Sequence, residues 1–241
     1  MGYKLTWMYI WTNKVRPSVT PPWQPDASRT LLYLQLNNNV DDSSWNSVSV
    51  SSSEINYGTA WNNHYAQLTS TSWSIQPTAT IWQQIGTWDF TVSFFFYGVD
   101  TSWGDMAWLF GNWDNSNNPR PWICIRFGWG DGNYILWADD WNWNHQYYML
   151  CPINMWHHQV YIRKNGVCSC YLDWQYVWGH TSTIDLASPW VNVFYILNRD
   201  LTQSWRNTWA RISEVIFEKV AWTEDDITWY FNYQKWNYWI S

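Results

Sequence analysis

Charge is scarce in this sequence. Asp, Glu, Lys and Arg make up 13% of the 241 residues, against about 25% in an ordinary soluble domain. The net charge is −6, and no block of five like charges occurs. A nucleic-acid binder needs a basic face, so that class of partner is excluded. No apolar run reaches the roughly 18 residues of a membrane-spanning helix. The opening MGYKLTWMYIWTNKV lacks a long apolar core followed by a small-residue cleavage site, so no secretory signal is expected. The four cysteines, Cys124, Cys151, Cys168 and Cys170, lack zinc-site spacing and read as small buried hydrophobes. A Cys124–Cys151 disulfide has no support in the sequence, and reduced thiols suit assembly in the cytoplasm. No internal repeat of the solenoid or propeller kind occurs. Glycine is also scarce, at 11 residues, where about 7% is usual.

What the chain has instead is tryptophan, 26 residues of 241. Several stand where turn chemistry asks for glycine, as in Ser44-Trp45-Asn46, Asn112-Trp113-Asp114 and Asp173-Trp174. Tight hairpins favour Asn-Gly and Asp-Gly because the turn needs positive φ, and a bulky ring fits that region poorly. Replacing most Trp by Gly would bring the turns into agreement with the strands around them. Some uncultured bacteria and their phages read UGA as glycine. The expectation is therefore that well over half of the 26 Trp are glycine in the native protein. The competing account is a Trp-rich surface for sugar stacking.

A length of 241 residues allows one domain or two small ones. Residues 1–27 read as an arm and linker, broken up by Pro17, Pro21, Pro22 and Pro25, and 28–241 as the body. Within it the pattern is strands and turns. Expected strands cover 31–36, 47–51, 89–97, 122–127, 133–138, 146–150, 158–164, 167–172, 191–197 and 210–220. Segment 89–97 (DFTVSFFFY) is the strongest, with Phe90, Val92, Phe94 and Phe96 on one face by period two. Asn165-Gly166 marks a hairpin. Short strands with turn signals between them mean a β-sandwich or barrel. One helix is expected over about 224–232, with Thr223 as N-cap and Asp226 completing a capping box.

The order of motifs resembles the laminin-G-like branch of the concanavalin A-like lectin/glucanase superfamily. The segment 31–36 followed by Asp42-Ser43-Ser44-Trp45-Asn46 is similar to the family's opening strand and "DSSGN" turn. Gly86-Thr87-Trp88-Asp89-Phe90-Thr91-Val92 is similar to its "TGDFTI" strand, and Trp156-His157-His158-Gln159-Val160 to its "W-H-x-A-V" strand. Cys170-Tyr171-Leu172-Asp173-Trp174 resembles the "LYVDG" hairpin, and 211–216 (RISEVI) the closing "IDEVRI" strand. Thr223-Glu224-Asp225-Asp226-Ile227 resembles the terminal helix. Trp45, Trp88 and Trp174 fall where the family has Gly, whereas Trp156 matches a true family tryptophan.

The resemblance implies a jelly-roll of two antiparallel sheets with a face that often binds carbohydrate. The opening 9–17 (YIWTNKVRP) also resembles phage-encoded virion-surface proteins carrying this domain. Residues 1–16 are the expected attachment element, adding a strand to a neighbour's sheet edge, and the expected place is a virion or extracellular surface. Glucanases on this fold use an E-x-D-x-x-E strand, which is missing here, so no catalysis is expected. Glu214 and Glu218 share a strand face but not that pattern, and read as solvated or edge-protecting. A structural calcium is a family feature. Asp41, Asp42, Asp114 and Asp131 are its candidates, with Asx-turn chemistry the favoured account of each. Ser213 stands where the family often has Asp. For carbohydrate the candidates are Tyr134, Trp137, Tyr147 and Tyr148 as stacking faces, with Asn112, Asp114 and Asp139 as polar partners. His157 and His158 are strand neighbours facing opposite sides, so they do not chelate one ion together.

Overall fold

A computed structural model describes residues 24–52, 54–68, 75–78, 84–97, 151–182 and 211–240, with 81, 185–186 and 195–197. Strands within 106–150 are described as backbone, together with the side chain of Ile125. The elements are β1 (Thr30–Leu34), β2 (Val50–Ser51), β3 (Ile55–Ala60), β4 (Asn63–Leu68), β5 (Gln76–Pro77), β6 (Phe90–Tyr97), β7 (Met106–Gly111), β8 (Ile123–Gly130), β9 (Asn133–Asp140), β10 (Tyr147–Leu150), β11 (Trp156–Lys164), β12 (Val167–Leu172), β13 (Gln175–Thr181), β14 (Tyr195–Ile196) and β15 (Arg211–Glu218). A helix, α1 (Glu224–Tyr238), follows them.

The strands form two antiparallel sheets and a small β2–β5 pair. The larger sheet runs β13-β12-β11-β6-β15-β4-β3. Strand β15 has β6 along one side, and on the other side β4 beside Arg211 and Ile212 and β1 beside 215–218. The smaller sheet runs β10-β9-β8-β7-β14. The chain is thus an all-β sandwich with one C-terminal helix.

Alternation on β6 divides the apolar residues between two cores. Phe90, Val92, Phe94 and Phe96 face the smaller sheet and pack with Ile125, Ile196, Tyr161 and Phe217. Phe95 faces the other way, into a second cluster with Trp156, Val160, Tyr230, Phe231 and Tyr238. Here α1 lies across the outer face of the large sheet. Both faces of β6 are therefore dry, which is why its polar Thr91 and Ser93 are buried as well. Each fully buried Phe contributes about 1.5–3 kcal/mol of transfer free energy.

The helix starts as expected. Thr223 accepts from the Asp226 backbone N–H, and the Asp226 carboxylate accepts from the Thr223 backbone N–H. It runs to Tyr238, six residues beyond the expected end. Tyr230, Phe231, Gln234 and Tyr238 continue its buried face against the sheet, and tertiary burial of this kind prolongs helices of poor local propensity. It ends at Trp239, whose backbone is left-handed with φ +57.

Candidate functional site

The expected sugar-contacting residues fall on or beside the smaller sheet. Asn112, Asp114 and Asp131 lie outside the described residues. Trp137 is opposite Tyr148 and Arg126, Asp139 is opposite Cys124, and Tyr134 is opposite Trp129. Tyr147 is opposite Ala138, which gives it the register parity of Tyr134. Strands β8–β10 thus bring Trp137, Asp139 and Tyr148 to one parity and Tyr134 and Tyr147 to the other.

The Asp42 carboxylate is committed to its own turn. One oxygen accepts the backbone N–H groups of Tyr33 and Ser44, each at 2.9 Å, and the other accepts the Ser44 hydroxyl and the Val48 N–H. That is the Asx-turn arrangement. Asp41 accepts from Asn39. Among the described residues no three His, Cys, Asp or Glu gather as metal ligands. Cys151, Cys168 and Cys170 are buried free thiols. Burial pushes the Cys151 and Cys170 thiols up, Cys170 to about 12, which disfavours the reactive thiolate at both. His157 and His158 do face opposite sides. The His157 ring bridges Asp173 Oδ2, at 2.7 Å, and the Pro152 carbonyl. The His158 ring is buried against α1, stacked on Phe95 with centroids 4.5 Å apart.

Glu214 and Glu218 are not on a solvated face: both are buried under α1 and β1. A bulge in β15 between Ser213 and Ile216, with Glu214 at φ +53, turns two consecutive polar residues toward the helix. Glu214 accepts from the Tyr33 hydroxyl at 2.7 Å, the Tyr230 hydroxyl at 3.2 Å and Asn63 Nδ2 at 3.1 Å. The Tyr238 hydroxyl donates to Ser213, which itself donates to the His64 carbonyl. Glu218 accepts from Thr30 and from the Trp222 indole N–H, and Arg29 lies 3.4 Å away. Burial raises the pKa of both carboxyls, and the hydrogen bonds and Arg29 only partly offset it. Every donor around Glu214 is neutral. The site is a structural clamp that ties β1, β4 and α1 to β15.

A cleft of about 610 Å³ opens at one end of the large sheet, lined by Gln84, Trp88, Asp89, Lys164, Lys219, Val220 and Ala221. Its position follows from the register. Phe90 is opposite Arg163, and Thr91 is opposite Glu218. Asp89 therefore precedes β6 at the place where β11 ends in Lys164 and β15 gives way to Lys219. The buried Arg163 fixes the cleft wall. Its guanidinium donates to the Gly86 carbonyl at 2.6 Å and to the Trp88 carbonyl at 2.7 and 2.9 Å, and it lies over the Phe90 ring. Asp89 Oδ1 accepts the Asn165 backbone N–H at 2.7 Å. The Trp88 ring stands in solvent. Sequence reasoning missed this site because Gln84, Lys164 and Lys219 come from three separate segments. The available signal was the rarity of lysine, since two of the chain's five stand here.

No protein-family model and no curated protein matches the chain. Solved structures match its fold. Domain 4 of AbnA, a GH43 extracellular arabinanase from Geobacillus stearothermophilus in complex with arabinotriose, is 17% identical with a TM-score of 0.60. That match covers 83% of this chain and 97% of the domain. The botulinum neurotoxin serotype D binding domain is 14% identical with a TM-score of 0.59, covering 86% of this chain and 52% of that one. Trypanosoma rangeli sialidase in complex with sialic acid is 12% identical with a TM-score of 0.69, covering 91% of this chain and 36% of the sialidase. At these identities the likeness is one of fold.

Proposed function

We propose that this protein is a non-catalytic glycan-binding module, a concanavalin A-like sandwich of the laminin-G-like kind displayed on a virion or other extracellular assembly. The observation that carries the binding reading is the breadth of the fold match. The chain spans almost all of an arabinanase domain solved with arabinotriose, and it spans half of a toxin binding domain. Weak sites repeated over an assembly bind by avidity, and residues 1–16 supply the attachment by strand addition. The buried, hydrogen-bonded Glu214 and Glu218 support the non-catalytic part, because neither carboxyl faces an open cleft. A glycan array on the purified chain tests the reading. Saturable binding without release of reducing ends is expected. Release of reducing ends favours the second reading, a glycoside hydrolase or lyase on this fold. Ordered oligomers that ignore every glycan would make the chain a purely structural subunit.

The same proposal includes recoding of UGA, with most exposed Trp being glycine in the native protein. Two hairpins of one sheet support it. Asn165-Gly166 has φ +50 and +73, and Asp173-Trp174 has φ +49 and +69. The second turn has the geometry of the first, with Trp in the glycine slot. Trp61 (φ +52) opens the β3–β4 turn, and Trp239 (φ +57) caps α1, both places where glycine is favoured. Trp45, Trp61, Trp88, Trp174 and Trp239 are all exposed, whereas Trp156 and Trp222 are buried.

A further inference from the structure

We infer that the cleft at the ends of β6, β11 and β15 is the glycan site, and that it selects acidic saccharides, with Lys164 and Lys219 binding the sugar carboxylates. This rests on the glycan-binding reading above and names its site and its ligand class. The first argument is charge. A chain of net charge −6 disfavours anionic partners over most of its surface, yet here two lysines flank a single aspartate. Arg163, behind the wall, is engaged by the Gly86 and Trp88 carbonyls with Asp89 and Asp185 nearby, so the two lysines are the cations the cleft offers.

The second argument is spacing. Lys164 ends β11 and Lys219 follows β15, the strands on either side of β6, so their backbones stand two strand spacings, or about 10 Å, apart. Two cations carried on different strands can each take a carboxylate on a separate unit of a chain, which one small inorganic anion does not supply. The volume of about 610 Å³ lies in the range of organic ligand sites, about 300–1,000 Å³. The third argument is chemistry. Among the described residues Asp89 accepts one N–H bond, on Oδ1, which leaves Oδ2 as an acceptor for a sugar hydroxyl, and Gln84 adds an amide. The Trp88 ring offers a stacking face. Where residue 88 is glycine that face goes, and the charged recognition by the two lysines stays.

The test is calorimetric titration of the intact chain with tetragalacturonate and with its carboxyl-reduced, neutral form. The parent chain, Trp88→Gly and the double variant Lys164→Ala/Lys219→Ala are compared. The expected result is saturable binding of the acidic oligomer that weakens with salt, falls at least tenfold in the double variant and is at least tenfold weaker for the neutral form. Both lysines are exposed, so the thermal midpoint of the double variant should match that of the parent, which separates loss of binding from loss of fold. Trp88→Gly should keep the preference for acid. Equal binding of both oligomers, or undiminished binding by the double variant, overturns the acidic-site inference and leaves glycan binding intact. Binding of neither oligomer overturns the inference, and a blank glycan array would then remove the glycan reading as well.

Discussion

At the scale of single residues, tryptophan falls into two populations. Trp222 sits beneath the helix and gives its indole N–H to Glu218 Oε2 at 2.6 Å. Trp156 packs on Tyr65, Tyr97 and Tyr238. These rings have apolar surroundings or a polar partner, as buried indoles require. Trp174 is 47% exposed and Trp61 is 65% exposed, each with a left-handed backbone. A non-glycine residue pays roughly 1–2 kcal/mol for that conformation, and glycine avoids the cost. Trp61→Gly and Trp174→Gly should therefore each raise the unfolding free energy by about 1 kcal/mol, after allowing for the extra freedom of glycine in the unfolded chain. Chemical denaturation checks this. Trp222→Phe should act the other way, costing about 1.5–3 kcal/mol because Glu218 loses a donor inside the core. A fall in stability for both glycine variants would show that the exposed rings contribute to the fold.

At the scale of elements, the helix-on-sheet contact sets how stability varies with pH. Burial pushes the His158 pKa down to about 3 from 6.5. Its Nε2 lies 2.8 Å from Ser93 Oγ, and Nδ1 has no partner among the described residues, so the buried ring is neutral. Between pH 6.5 and about 3 the unfolded chain holds a proton that the folded chain refuses. Stability from this group therefore falls as pH drops, by about 1.4 kcal/mol per unit. Glu214 and Glu218 act oppositely. Their raised pKa values let the folded state take up protons first, so acidification toward 4.5 favours folding through them. A difference measurement isolates the histidine. Relative to His158→Gln, the parent should lose about 1.4 kcal/mol for each pH unit below 6, and parallel stability curves would contradict the buried neutral ring. Thr223→Ala removes the N-cap bond and should cost about 1 kcal/mol, with faster amide exchange in the first turn of α1. Much of this layer was readable in the residues. The period-two faces of β6, the Asn165-Gly166 hairpin, β15 and the capping box all follow from local pattern. The β3–β4 hairpin did not, because its turn carries Trp61 where a glycine would have marked it; the turn at Asp173-Trp174 was legible, but β13 after it has no run of alternating apolar residues. The burial of Glu214 and Glu218 was also hidden. It depends on a bulge and on a helix that returns over the sheet from a different part of the chain, and neither leaves a local signature.

At the scale of the whole molecule, the proposed recoding and the cleft make one connected forecast about native material. Backbone geometry asks for glycine at 61, 174 and 239, where φ is positive. At 45 and 88 the case rests on solvent exposure and on the family resemblance, since neither has positive φ among the described residues. Trp236 is as exposed as Trp239, at 70%, but it lies inside α1. Glycine there would cost up to about 1 kcal/mol, so geometry gives no reason to expect it. Peptide mass spectrometry of the protein from its natural source should read glycine at 61, 174 and 239, and tryptophan at 156 and 222. Tryptophan at all five positions would end the recoding proposal and make the exposed rings a real stacking surface, with Trp61 and Trp239 already in edge contact 5.0 Å apart. Glycine at the first three removes that patch. On the proposed glycan-binding reading, recognition would then rest less on these rings and more on polar groups such as those of the cleft bearing Lys164, Lys219, Asp89 and Gln84.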